Sequence, residues 1–438
     1  MIYWPNINAY VIIETMSKPL VTIIGKTVKN IAKIRGGGSA LPGLVVEKID
    51  PNFIKRTLAN APLGVVVISG TNGKTTTTKM VVELLEGQGL KVFTNKTGSN
   101  FTRGVAAALL GEVDIYGYLY ADIAVLELDE AHAVHFVDKI APSYSLILNV
   151  MRDQLDRFGE IDYTTNLLRH VANATTKAVV LNREDTRIAN IAKSLESQEV
   201  KFFGLDDSLL HIFPNDDNLH SLLVKSHSKT KADVILSKFT GNSATFIIDD
   251  KKVSTKLKLT GVYNVFNAAA ALTLVRAIMG KDLNKAKLIE SLSQVAPAFG
   301  RGETLIVKGK PLELVLIKNP SGFRLGLESF DPSGYSTMIA INDNYADGRD
   351  MSWLWDVDFS SLAANGIDQV SGIRAYDMAL RLKYDNVPIK NVDINLRKAL
   401  KRFISISPNK PKRIYCTYTA MITLRHMLSR LTHVEVIK

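Results

Sequence analysis

The sequence predicts an α/β protein in two parts, and three observations carry that prediction. From Gly64 onward, short apolar runs rich in β-branched residues alternate with helical stretches, which is the pattern of a parallel sheet. The first run flows into a glycine-bearing turn, a lysine and four threonines, VVVISGTNGKTTTT over residues 65–78. Pro297, Gly300 and Gly302 then interrupt the chain before a second set of strand candidates begins. The expected division is a helical N-terminal segment over 1–60, a central nucleotide-binding domain over 61–296 and a C-terminal α/β domain over 297–438.

Composition narrows the class. At 438 residues and 46% hydrophobic content, the chain can bury a large core. A single cysteine, Cys416, excludes an internal disulfide framework and a multi-cysteine zinc site, and fits a reducing compartment. The apolar runs fall short of a membrane span, and the N-terminus lacks the basic-then-apolar order of a signal peptide, so a cytoplasmic location is expected. The net charge of +11 admits nucleic acid, anionic lipid or phosphorylated substrates as partners. Its lysines are scattered without an aromatic-interleaved basic motif, which argues against nucleic acid.

In chain order, Lys18 to Arg35 suits a helix with Leu20, Ile24, Val28, Ile31 and Ile34 on one face and Lys26, Lys29, Lys33 and Arg35 elsewhere. Such a helix either packs on the main domain with a solvated basic face or lies on an anionic membrane surface. Gly36 to Gly38 break it, Ala40 to Gly43 make a turn, and a short helix is expected near Pro51 to Leu58. The first sheet should use Val65 to Ser69, Val92 to Thr94, Ile123 to Leu128, Tyr144 to Val150 and Ala178 to Asn182. Residues 200–254, rich in Ser, Asp, Asn and Lys, look like a small β insertion without cysteine, and Tyr263 to Ala277 returns to helix. Leu312 to Ile317, Thr337 to Ile341, Gln369 to Ser371, Arg413 to Thr417 and His433 to Ile437 should supply the second sheet.

The chemistry concentrates after the first strand. Gly70 and Gly73 let the backbone curl round a phosphate, with Thr71 and Asn72 between them and Thr75 and Thr76 opening a helix whose N-terminal amides face an anion. Lys74 can reach the β and γ oxygens, and the Thr75 hydroxyl can hold Mg²⁺. Ile68 stands where the first glycine of the general GxxxxGK[ST] pattern would fall. A metal-supporting acid commonly ends a later strand of such a sheet, and in VLELDEAH Glu127 is placed that way, with Asp129 and Glu130 as alternatives. His132 and His135, three apart, are a weaker metal pair and read more simply as structural.

The next strand runs into NVMRDQLDRFGE at Asn149 to Glu160, and here the chain resembles the Mur ligase superfamily of ATP-dependent ligases. Those enzymes share GTNGKT(S/T), a strand ending in a metal-binding Glu, and N-x(3)-DHLD-x(2)-G; this chain has Gln154 in place of the histidine. LNREDTR at Leu181 to Arg187, GVYNVFNAAAA at Gly261 to Ala271 and FGRGE at Phe299 to Glu303 are similar to the family's adenine- and ribose-side elements. The resemblance implies a central P-loop ATPase domain with a Rossmann-like C-terminal domain, adenine contacts from Asn264 and Asn267, and a nucleotide contact from Arg301.

Three departures narrow the resemblance. The residues before the phosphate loop are too few for a UDP-binding domain, no lysine follows FGEIDY where many Mur ligases carry a metal-bridging one, and KNPSGF at Lys318 to Phe323 replaces an acidic, histidine-containing segment. These features, with RGGGSALPG at Arg35 to Gly43 and DNYADGRDMSWLWD at Asp343 to Asp356, are similar to the MurT family. That resemblance implies ATP- and Mg²⁺-dependent amidation of the D-glutamate α-carboxyl of lipid II, with ammonia supplied by a GatD-type glutaminase docked on the C-terminal domain. It implies that Asp350, or else Asp347, completes the partner's Cys-His pair. The four-cysteine zinc ribbon of many family members has no counterpart here, so no zinc is expected. A stand-alone amino-acid ligase and a nucleotide-regulated scaffold are the alternatives.

Overall fold

The computed structural model describes residues 9–34, 41–95, 101–151, 161–212, 230–241, 243–258, 262–296, 301–329 and 332–434. Three helices lead in: α1 (Ala9–Ile34), α2 (Leu41–Ile49) and α3 (Phe53–Leu58). The segment expected as a turn after the triple glycine instead opens α2, where Pro42, Gly43 and Val46 are buried, Val46 beside Gly25 of α1 and Gly43 against the Arg103 backbone of α5 (Thr102–Glu112). The face of α1 that packs differs in part from the one expected: of that face Leu20 and Ile31 are exposed and Ile24 and Val28 half-buried, while Val21, Thr22, Gly25 and Ala32 are buried.

Strands β1 (Val65–Ser69), β2 (Val92–Thr94), β3 (Ile123–Glu127), β4 (Tyr144–Ile147), β5 (Ala178–Asn182), β6 (Glu199–Leu205), β7 (Val234–Thr240), β8 (Ser243–Ile248) and β9 (Lys251–Lys256) form one sheet, in the order β2-β3-β1-β4-β5-β6-β7-β8-β9. Pairing is parallel from β2 to β7 and antiparallel beyond. All five residues of β1 are buried, Val66 and Ile68 toward one hydrophobic layer and Val65 and Val67 toward the other. That two-sided burial explains its uninterrupted apolar run. One layer includes residues of α4 (Lys74–Gly87), α9 (Val262–Met279) and α10 (Lys285–Gln294); the other includes residues of α5, α6 (Glu130–Val137), α7 (Ile161–Asn173) and α8 (Thr186–Ile191).

The described part of 200–254 is not a separate insertion. β6 and β7 prolong the parallel sheet, and Phe203, Leu205, Val234, Leu236 and Phe246 join the same layer as α9. Its polar composition reflects the alternating solvent face of β7 to β9, which the sequence shows as dilution of the apolar signal.

The second sheet runs β10-β11-β15-β12-β13-β14 through β10 (Arg301–Val307), β11 (Lys310–Leu316), β12 (Ser336–Ala340), β13 (Gln369–Ser371), β14 (Val392–Asp393) and β15 (Lys412–Cys416). All its pairings but β10 with β11 are parallel. Helices α11 (Pro320–Ser329), α12 (Ala375–Tyr384), α13 (Leu396–Ser405) and α14 (Tyr418–Leu428) accompany it. Strand β10 went unforeseen because its alternating residues follow a glycine-rich stretch; His433 and Val434 lie outside any strand, and 435–438 fall outside the described residues. Cys416 is buried in this sheet, and burial pushes its thiol well above the ordinary range, which suits a packing residue.

Candidate active site

The chain leaves β1 at the carboxyl edge of the first sheet, where β3 lies on one side and β4 on the other, the position at which open α/β sheets bind ligands. Gly70 has φ +131° and Gly73, which caps α4, has φ +88°. A side chain at Gly70 would meet the Asn149 backbone at 2.9 Å, and one at Gly73 would meet the Asn267 amide at 2.9 Å, so both positions need glycine for conformation and for space.

The rest of the loop is fixed by β4's continuation. Thr71 N–H donates to Asn149 O at 3.0 Å, Asn72 N–H donates to Asn149 Oδ1 at 2.9 Å, and Asn149 Nδ2 returns a bond to Asn72 O at 3.0 Å. Met151 N–H donates to Thr71 Oγ1 at 3.1 Å. These bonds hold the loop's backbone in one shape, the preorganisation an anion cradle requires.

Lys74 Nζ folds back over the loop, 2.5 Å from Gly70 O, and pairs with Glu130 Oε2 at 3.2 Å. Thr75 Oγ1 donates to Glu127 Oε1 at 2.9 Å. Two of the three acids weighed for the metal therefore reach the loop, Glu127 through Thr75 and Glu130 through Lys74. Glu127 is buried at the end of β3, and its backbone exchanges two bonds with the Asn95 side chain, 2.9 and 2.7 Å long. A hydroxyl beside a carboxylate oxygen is an all-oxygen donor set that suits Mg²⁺. Thr76 Oγ1 is buried without a partner in the first turn of α4. Among the described residues no cluster of three or more His, Cys, Asp and Glu forms a metal site. His132 and His135 are exposed, and His132 lies 5.6 Å from the Phe101 ring.

Asn267 is buried on α9 against Gly73, and Asn264 lies three residues earlier on the same helix face. Arg301 opens β10, and its side chain lies outside the described residues, as do Asp153, Gln154, Asp156 and Gly159. In the second domain, Asp347 is buried and accepts from Thr419 N–H at 2.7 Å, from Thr419 Oγ1 at 2.5 Å and from Asn344 N–H at 3.1 Å. Asp350 is half-buried, its Oδ1 accepting from Ser352 N–H at 2.9 Å.

Two functional residues escaped sequence reasoning. Asn319, buried at the start of α11, accepts from Gly322 N–H at 2.7 Å and donates to Asn72 Oδ1 at 3.4 Å, so the second domain touches the phosphate loop itself. KNPSGF held the signal, an Asn three residues before a glycine at a helix start, but nothing in it names the loop across the interface. Asn95 had no signal, being one polar residue among several in TNKTGSN after a short strand.

Asp185, in LNREDTR, caps α8 through Arg187 and Ile188 N–H and also accepts from Val150 N–H at 2.8 Å. Burial pushes its carboxyl up to about 6 against the pull of those amides. The folded protein then keeps this proton where the unfolded chain, at about 3.9, has lost it. Stability from this group is full below pH ~4 and is lost as pH rises to ~6, about 3 kcal/mol in all. Urea unfolding across that range should show wild type losing this amount relative to Asp185→Asn; parallel pH profiles would refute the assignment.

A preorganised phosphate loop at a sheet edge, a carboxylate opposite its threonine and a second α/β domain reaching back to it define an ATP-dependent ligase of the Mur ligase class. The Mur ligase middle domain model matches residues 68–275 and the MurT ligase C-terminal model residues 316–421. The chain is 32% identical to "Lipid II isoglutaminyl synthase (glutamine-hydrolyzing) subunit MurT" of Streptococcus pneumoniae, over 90% of this chain and 93% of that one. The Staphylococcus aureus (strain COL) subunit of the same name is 28% identical over 80% and 84%. This chain belongs to the MurT family. Its fold also matches the MurF ligase of Thermotoga maritima in complex with ADP, with a TM-score of 0.65 at 17% identity, over 89% of this chain and 83% of that one.

Proposed function

We propose that this chain is the synthetase subunit of a two-protein amidotransferase that converts the D-glutamate of the lipid II stem peptide to D-isoglutamine at the cytoplasmic face of the membrane. The likeness to the pneumococcal subunit supports this reading most, because it runs through both the nucleotide domain and the segment from Asp343 to Asp356. The γ-phosphoryl group of ATP passes to an oxygen of the α-carboxylate, its bond to the bridging oxygen breaks, and ADP leaves. Ammonia from a GatD-type glutaminase then attacks the acyl carbon; phosphate departs with its electron pair and the nitrogen loses a proton.

In this scheme Gly70 to Gly73 and the amides of α4 hold the phosphates, and Lys74 leaves Glu130 to meet charge on the moving phosphoryl group. Asn264, Asn267 and Arg301 take the adenosine, and Thr75 and Glu127 would hold Mg²⁺, which shields the phosphate charge. Glu127→Gln should raise the half-saturating Mg²⁺ at least about tenfold in both nucleotide binding and turnover, since it removes the only charge of that donor pair. An unchanged Mg²⁺ curve would exclude Glu127 as the metal residue.

The test is ADP release and peptide mass with lipid II, comparing ammonia alone with glutamine plus a GatD-like partner. A gain of ammonia less water on the peptide supports the amidotransferase reading. Product formed only when an amino acid is added, with no partner, would make this a stand-alone ligase.

A further inference from the structure

Among the described residues, helix α1 packs against α2 and α5 through one side. A side chain at Gly25 would meet Val46 at 2.5 Å and Leu110 at 2.6 Å, and the lysines beside this seam bend inward, Lys26 Nζ donating to Val113 O at 2.6 Å and Lys29 Nζ to Ala107 O at 3.2 Å. The outward side is apolar. Leu20, Ile23 and Ile31 expose between 48% and 60% of their surface, with Thr27 between them, at the three- and four-residue spacing that makes one line.

A second element extends that line. A side chain at Gly117 would lie 3.1 Å from Thr22 Oγ1, so the turn after α5 abuts α1 beside Leu20 and Ile23. Asp114 organises this turn, its Oδ1 accepting from Tyr116 and Tyr118 N–H, each at 2.9 Å, and its Oδ2 from Tyr120 Oη at 3.2 Å. The outcome is a ridge of exposed Ile115, Tyr116, Tyr118 and Tyr120, the last two rings 4.7 Å apart.

We propose that this joint face, the outer line of α1 with the tyrosine ridge, seats the protein on the surface of an anionic bilayer. Charge selects that occupant: from Thr15 to Val46 the sequence carries Lys18, Lys26, Lys29, Lys33 and Arg35 and no acid. A basic, acid-free stretch of sequence that carries an apolar line suits anionic headgroups around acyl chains, and tyrosines favour the same interfacial depth. Among the described residues no helix is long and apolar enough to cross a membrane, so α1 lies along the surface. Occupancy of this face does not depend on which substrate the site takes.

Sedimentation of the full chain with vesicles lacking lipid II tests this. Binding is expected to phosphatidylcholine vesicles containing phosphatidylglycerol, weaker in high salt and weaker still to phosphatidylcholine alone. Leu20→Asp/Ile23→Asp should lower that binding at least roughly tenfold while ATP binding stays unchanged. Tyr116→Ser/Tyr120→Ser, which leaves α1 intact, should also lower it and decides the matter if the first variant fails to fold. Wild type that ignores anionic vesicles, or variants that bind as well as wild type, would overturn the proposal. So would a dimer that Leu20→Asp/Ile23→Asp converts to monomer without vesicle binding, since a second copy would then cover this face.

Discussion

Lys74→Met is expected to lower ADP production with lipid II by on the order of 10²–10³, the loss typical of removing one charged stabiliser from a transferring group. The same change should also destabilise the protein, for a reason specific to this site. Lys74 and Glu130 form a buried pair, their side chains 12% and 2% exposed, so removing the lysine takes a cation away from a buried carboxylate. Breaking such a pair costs roughly 3–5 kcal/mol. A melting temperature lowered by several degrees is therefore expected, and activity loss alone would not separate chemistry from unfolding. The double variant Lys74→Met/Glu130→Gln separates them: neutralising the buried acid should restore the melting temperature and leave turnover dead. If turnover also returned, Lys74 would serve only to neutralise Glu130. Assembly with the partner offers a further contrast, because a purely scaffolding nucleotide site predicts lost assembly and no ADP during turnover, whereas a synthetase predicts the reverse.

What the sequence revealed follows from where the physics is local. Strands β1 and β5 are readable to the residue because two-sided burial demands a continuous apolar run, and Gly64 and Gly70 bound β1 in the sequence. The phosphate loop is readable because Gly73 must hold a positive φ immediately before the helix that Lys74 opens. Pairing across the chain is another matter. That Lys74 meets Glu130, that Asn95 anchors Glu127, and that Asn319 reaches Asn72 from the second domain depend on a register no single segment specifies. The outward face of α1 was misassigned for a related reason: the helix is apolar on more than one side, so periodicity alone cannot choose which side the domain takes. Residues 200–254 misled through dilution, since a half-exposed strand shows only half its core residues.

The two aspartates of the DGRD segment should part company when each is changed to asparagine. Asp347 is committed to the fold: its two oxygens tie Thr419, at the start of α14, to the loop at Asn344, and it lies buried beneath them. Asp347→Asn puts an amide N–H where an oxygen accepts, so a loss of about 1–3 kcal/mol is expected, affecting glutamine- and ammonia-driven amidation alike. Asp350 is nearer the surface, and its described bond is a local one to Ser352 N–H, which an asparagine oxygen can keep. Asp350→Asn should therefore leave the melting temperature and ammonia-driven amidation unchanged. If its carboxylate orients the histidine of a glutaminase partner, glutamine-driven amidation should fall by on the order of 10²–10⁴, the cost of losing such an orienting acid. The ratio of the two rates is the informative quantity, because a misfolded synthetase loses both while a crippled glutaminase loses one. Equal losses in Asp350→Asn would return the triad role to another acid of the segment, and no loss at all would mean that the partner completes its own triad.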